Sequence, residues 1–130
     1  MYTKRTDGFE VDVQPVHLPE QSDPADGQWV WAYRVVVRNH GREPARLVAR
    51  HWSITDANGR VQTVEGPGVV GQTPLIKPGS AYEYHSGCPL PTPSGTMVGH
   101  YVMERPDGSH FEIGIPHFSL DVPEVKRTLN

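Results

Sequence analysis

The stretch Val64–Met103, VEGPGVVGQTPLIKPGSAYEYHSGCPLPTPSGTMVGHYVM, sets the reading of the whole chain. Glycine or proline punctuates it every few residues, and short apolar runs of strand type lie between. No run is both long enough and free enough of proline to propagate a helix. Such a segment reads as tight loops laid over a sheet. Its first part, Gly66-Pro67-Gly68-Val69-Val70-Gly71, also spells the glycine spacing of a phosphate-binding turn.

The flanking sequence extends the same pattern. Ser80–Ser86 alternates with Tyr82 and Tyr84 on one face, and Leu90–Gly95, with two prolines, is expected to be irregular. Thr96–Glu104 places Met97, Gly99, Tyr101 and Met103 together. Pro106-Asp107-Gly108 then turns the chain into His110–Ile115, whose Phe111, Ile113 and Ile115 share a face. Pro116 is expected to end that strand, with Phe118 and Leu120 tucked against the core and 122–130 a frayed tail.

Upstream, Trp29–Asn39 is the clearest strand, with Trp31, Tyr33, Val35 and Val37 on one face and Arg34 and Arg38 on the other. In Ala45–Thr55 the apolar phase is split: Leu47 has one parity, Val48, Trp52 and Ile54 the other. Trp52 and Ile54 are placed inside, because a buried Trp contributes more than a buried Leu. Asp56-Ala57-Asn58-Gly59 is a hairpin signal returning through Arg60–Glu65. Phe9–Leu18, interrupted by Pro15, suits a first or edge strand, and Glu20–Gln28 is turn chemistry. Seven or so short strands and no helix predict an all-β sandwich of two antiparallel sheets, with a closed barrel as the alternative. One domain over 1–130, its core from about 9 to 120, is expected from length and the lack of any repeat.

Composition narrows the function classes. A formal charge of −3 argues against a dedicated nucleic-acid binder. Arg34, Arg38, Arg42, Arg46 and Arg50 recur every four residues, but Val35-Val36-Val37, Gly41 and Pro44 exclude the helix that would align them; a solvated face spread over two neighbouring strands is the expectation. Cys88 is the only cysteine, so no intramolecular disulfide forms. The N-terminus has no apolar core of signal-peptide length, and nothing approaches a membrane-spanning run, so a soluble cytoplasmic protein is expected.

The chemical motifs are few. Gly66, Gly68 and Gly71 match the dinucleotide-binding spacing, yet no helix can follow through Pro74 and Pro78, so a Rossmann turn fails on context. What survives is a nest of backbone amides that would hold a phosphate, with Lys77 nearby. Against it stands a tight loop whose glycines serve positive φ or close approach. The seven histidines form no paired zinc spacing, and no metal or cofactor is expected. A site would need His51, His85 and His117 to converge, with Glu65 or Glu83 as carboxylate. Ser86-Gly87-Cys88 carries no base that would activate the thiol, so Cys88 reads as a packing residue. No catalytic set emerges.

The run GPGVVGQTPLIKPGSAYEYHSGCPLPTPSGTMVGHYVM, followed by Phe111 and IPHFSL, closely resembles the ApaG family. VVVRNHG and Arg50-His51-Trp52-Ile54-Thr55-Asp56 extend the resemblance to about Val11–Leu120. His85 stands where the family commonly has threonine, and Gln72 where an acidic residue is common. The resemblance implies an immunoglobulin-like, fibronectin type III-like sandwich. It also implies a bacterial cytosolic protein associated with cobalt resistance and magnesium efflux, often encoded beside a diadenosine tetraphosphate hydrolase. Similar domains in F-box proteins and in a DNA-polymerase-interacting protein imply a protein-interaction module. No catalytic residues carry across. The glycine motif is the one position set for which nucleotide binding has been considered.

Three readings follow. The first is a non-enzymatic module that affects divalent-cation balance through a protein partner, docking by an exposed sheet face or by Val69-Val70. The second is an anion sensor, with Gly66, Gly68, Gly71 and Lys77 holding a phosphate or nucleotide. The third is an enzyme or direct metal binder built on the histidine trio.

Overall fold

The computed structural model describes residues 1–123. Nine strands follow in chain order: β1 (Tyr2–Thr6), β2 (Phe9–His17), β3 (Trp29–Asn39), β4 (Ala45–Asp56), β5 (Val61–Pro67), β6 (Leu75–Ile76), β7 (Ala81–Leu90), β8 (Ser94–Glu104) and β9 (His110–Asp121). They form the expected sandwich of two antiparallel sheets, in the orders β1-β2-β3-β7 and β5-β4-β8-β9, with β6 pairing the start of β4. The strands beyond the expected seven or so are β1 and the two-residue β6. Two short 3-10 turns, Pro19–Gln21 and Pro24–Asp26, occupy the polar segment before β3.

The inner faces supply the core. Trp31, Tyr33, Val35 and Val37 from β3 meet Trp52 and Ile54 from β4, with Met97, Tyr101 and Met103 from β8 and Ile113 and Ile115 from β9. Trp52 sits at the centre, edge-on to Tyr33, Tyr101 and Phe118. Such packing of aromatics adds to the area they remove from water.

Two bulges explain where the alternation misled. The register of β4 against β8 shifts between Leu47 and Ala49, so Val48 is an extra residue and both Leu47 and Trp52 point inward despite opposite parity. In β9 the register shifts opposite Met97–Gly99, at Pro116 and His117. Pro116 therefore does not end the strand: a bulge tolerates a residue with no N–H, and pairing resumes at Phe118. The Trp31 indole N–H donates to the Asp121 carbonyl at 2.9 Å, fastening the end of β9. Val122 still packs on the core, so the expected tail does not begin there; 124–130 lie outside the described residues.

The expected irregular stretch narrows to Pro91–Pro93, with both of its prolines, since β7 runs through Pro89 to Leu90 and β8 begins at Ser94. Pro89 is accommodated because β7 is an edge strand, paired only with β3. The arginines do not share neighbouring strands either. β3 and β4 belong to different sheets, and Arg34 and Arg38 pair with Glu83 and Asp12 on the outer face of the first. The crossover between them turns on buried Asn39, whose amide donates to the Glu43 and Ile76 carbonyls while its oxygen accepts the Gly41 N–H.

Candidate functional site

The glycine motif lies where β5 leaves the sheet. Gly66 is still in β5, opposite Arg50, and the Gly68 amide donates to the Val48 carbonyl at 2.8 Å. Val69 and Gln72 then bond each other twice, and Val70 (φ 48°) and Gly71 (φ 75°) form the two-residue tip between them. Two successive positive-φ residues make a type I′ hairpin, a turn that favours Asn-Gly. At Gly68 (φ 56°) a Cβ would stand 2.0 Å from the Gln72 carbonyl oxygen. The glycine spacing is thus what a narrow protruding hairpin requires.

The Gly68 amide is spent on β4 and those of Val69 and Gln72 within the hairpin, and the cations that touch it meet carbonyl oxygens instead. Arg46 donates to Thr73 at 2.7 Å, and Arg50 donates from one nitrogen to Pro67 and Gly68 at 3.0 and 3.1 Å. Lys77 follows β6, whose Ile76 pairs with Ala45, five residues along β4 from the Gly66 partner Arg50. At ~3.3 Å per residue the two positions are about 16 Å apart along the strand. The structure brings Gly66, Gly68 and Gly71 together with Arg46 and Arg50, and sets Lys77 apart from Gly66.

The tip divides its two valines. Val69 is fully buried, whereas Val70 is 61% exposed, so only Val70 of the expected contact pair faces outward. A β-branched residue at positive φ is a conformational outlier.

Arg50 is the other unusual group. It shares the inner face of β4 with Trp52 and Ile54, at the mouth of a cleft of about 210 Å³ between the edge strands β5 and β7. Tyr33, Gln62, Ser86 and Cys88 line the same cleft. Among the described residues no carboxylate pairs with Arg50, and Gly66 leaves room for its guanidinium: a Cβ there would stand 2.9 Å from Nη2. Deeper in, the Tyr84 and Tyr101 hydroxyls bond each other. Burial raises the pKa of Tyr33, Tyr84 and Tyr101, an effect the Arg50 charge partly offsets at all three. Burial pushes the Cys88 thiol up to about 11, so it is a protonated packing residue at neutral pH, not an activated nucleophile.

The histidine trio is not assembled. His51 lies on the outer face of the second sheet, 2.7 Å from Glu65 and stacked on His100; His85 lies on the outer face of the first, beside Arg34. His117 is exposed at the β9 bulge. Outer faces of opposite sheets point away from each other, which precludes a shared metal shell. Among the described residues no group of three metal-ligating side chains converges.

Residues 19–105 match the family model described as the ApaG domain. The chain belongs to the ApaG family. Protein ApaG of Sinorhizobium fredii is 56% identical over all 130 residues of both chains, and that of Paramagnetospirillum magneticum 58% identical over the same span. A crystal structure from Bordetella pertussis superposes with a TM-score of 0.86 at 52% identity, covering 89% of this chain and 94% of that one. In this ApaG-family chain no described helix is long and apolar enough to cross a membrane. Sequence reasoning missed Arg50 and Arg46 as the partners of the glycine motif; their four-residue recurrence was visible, but the assignment of β3 and β4 to different sheets was not.

Proposed function

We propose that the chain is a non-enzymatic docking module of the cytoplasm whose hairpin tip inserts Val70 into an apolar pocket of a partner protein. One observation carries this reading: Val70 is a β-branched residue held at φ 48° and left 61% exposed. An Asn, Asp or Gly would relieve the strain, so retaining valine there sacrifices stability without burying the side chain. Local rules broken in this way mark functional positions. Exposed Leu75 stands at the base of the same loop, paired with exposed Arg46, which favours a pocket with an acidic rim. The family resemblance supports a role in cobalt and magnesium balance, exerted through that partner.

A photo-crosslinking residue at position 70 tests this in cells, with position 61 as the control because Val61 is equally exposed. A single discrete adduct from position 70 and none from 61 is expected. Equal labelling from both, or none from either, would overturn the reading. A Val70→Asp strain and a gene-deletion strain are expected to share one change in cobalt tolerance, with the variant protein accumulating normally; wild-type tolerance in the Val70→Asp strain would break the link to cation balance.

A further inference from the structure

We propose that the cleft between β5 and β7 binds a small organic anion, a carboxylate or phosphate monoester on a flat apolar body, with Arg50 as its anchor. An arginine cannot shed its proton, and half-buried Arg50 beside an apolar cleft gains from any compensating anion. Here the compensation is partial. One guanidinium nitrogen donates to the Pro67 and Gly68 carbonyls, and no described carboxylate completes the set. The remaining nitrogens carry donors in the fork geometry that matches carboxylate and phosphate.

The rest of the cleft fits the other half of such a ligand. Trp52, Ile54 and Met97 give it an apolar floor, while Tyr33, Ser86 and Gln62 offer hydrogen bonds along its walls. At about 210 Å³ it is smaller than the ~300–1,000 Å³ of drug-sized sites, which selects a single ring or short chain. The glycine motif then has a second task. Gly66 makes space for the guanidinium, and the hairpin carbonyls aim it, so the motif positions a cation instead of presenting its own amides. This site is separate from the Val70 contact and stands or falls independently of it.

The test is a titration of ¹⁵N-labelled protein, following backbone amides and the Arg50 Nε–H. The probes are phenyl phosphate, benzoate, inorganic phosphate and uncharged benzyl alcohol. Saturable shifts at Arg50 and Ser86–Cys88 are expected with phenyl phosphate or benzoate, each binding at least roughly tenfold more tightly than benzyl alcohol or inorganic phosphate. Arg50→Gln should weaken that binding by a similar factor, and Lys77→Ala should leave it unchanged. Gln62→Trp, at an exposed position of an edge strand, should block the mouth with Arg50 intact, which keeps the test valid if Arg50→Gln unfolds. Shifts centred on Val70 and Gly71 that follow inorganic phosphate and vanish in Lys77→Ala would overturn the proposal in favour of an amide nest. Silence at Arg50 with every probe at millimolar concentration would overturn it outright.

Discussion

Gly66 and Gly68 stand two residues apart and are glycine for different reasons. At Gly68 an added Cβ would meet a backbone oxygen that cannot move without opening the hairpin, and the φ is positive as well. Gly68→Ala should therefore lower stability by about 2 kcal/mol or more. At Gly66 the obstacle is the mobile end of Arg50, so Gly66→Ala should cost less in thermal unfolding yet displace the guanidinium. Equal losses for the two variants would contradict this division. The sequence made the glycine spacing visible and left its purpose open. A nest of amides and a narrow hairpin need the same residues; what separates them is where the N–H groups point, which spacing does not encode.

Among the elements, the strands were legible where alternation is regular and lost where a bulge shifts it. β3, the first half of β7 and most of β8 follow a period of two and were placed by it. In β4 the conflict between Leu47 and Trp52 was real, and the bulge at Val48 resolves it by turning both inward. β1 went unseen although Asp7-Gly8 is a two-residue I′ turn (φ 49° and 82°), because Thr3–Arg5 is polar and offers no apolar stripe. The β3–β4 crossover depends on Asn39. Asn39→Ala would strip donors from two carbonyls and an acceptor from the Gly41 amide, so a loss of about 2–3 kcal/mol is expected. A urea midpoint that falls with an unchanged slope would show it; an unchanged midpoint would mean that water replaces the side chain.

For the whole molecule, the interior sets a limit at alkaline pH. Tyr33, Tyr84, Tyr101 and Cys88 all have folded-state pKa values raised by burial. The folded state then holds these protons more tightly than the unfolded chain, so stability is intact below the unfolded values and falls as pH rises through the folded ones. For Cys88 the loss runs from its ordinary 9.0 to about 11. Cys88→Ala should flatten the decline in melting temperature between those values, and an unchanged decline would assign it to the tyrosines alone. The opening between β5 and β7 also belongs to this scale. Contacts of β9 with β1 and β2 close the opposite side of the sandwich, whereas the β5–β7 side carries Gly66, Gln62 and Ser86 on its inner face and stays unfilled. No single strand reveals this, since it depends on which edges the topology sets side by side.

The most direct measurement for the docking reading is the unfolding free energy of Val70→Asn. If the valine is retained for its contact and not for the fold, asparagine relaxes the turn, and stability should rise by about 1 kcal/mol, or ~4 °C in melting temperature. An unchanged or lower stability would mean that packing supports Val70 where it stands, and the case for a strained docking tip would be lost.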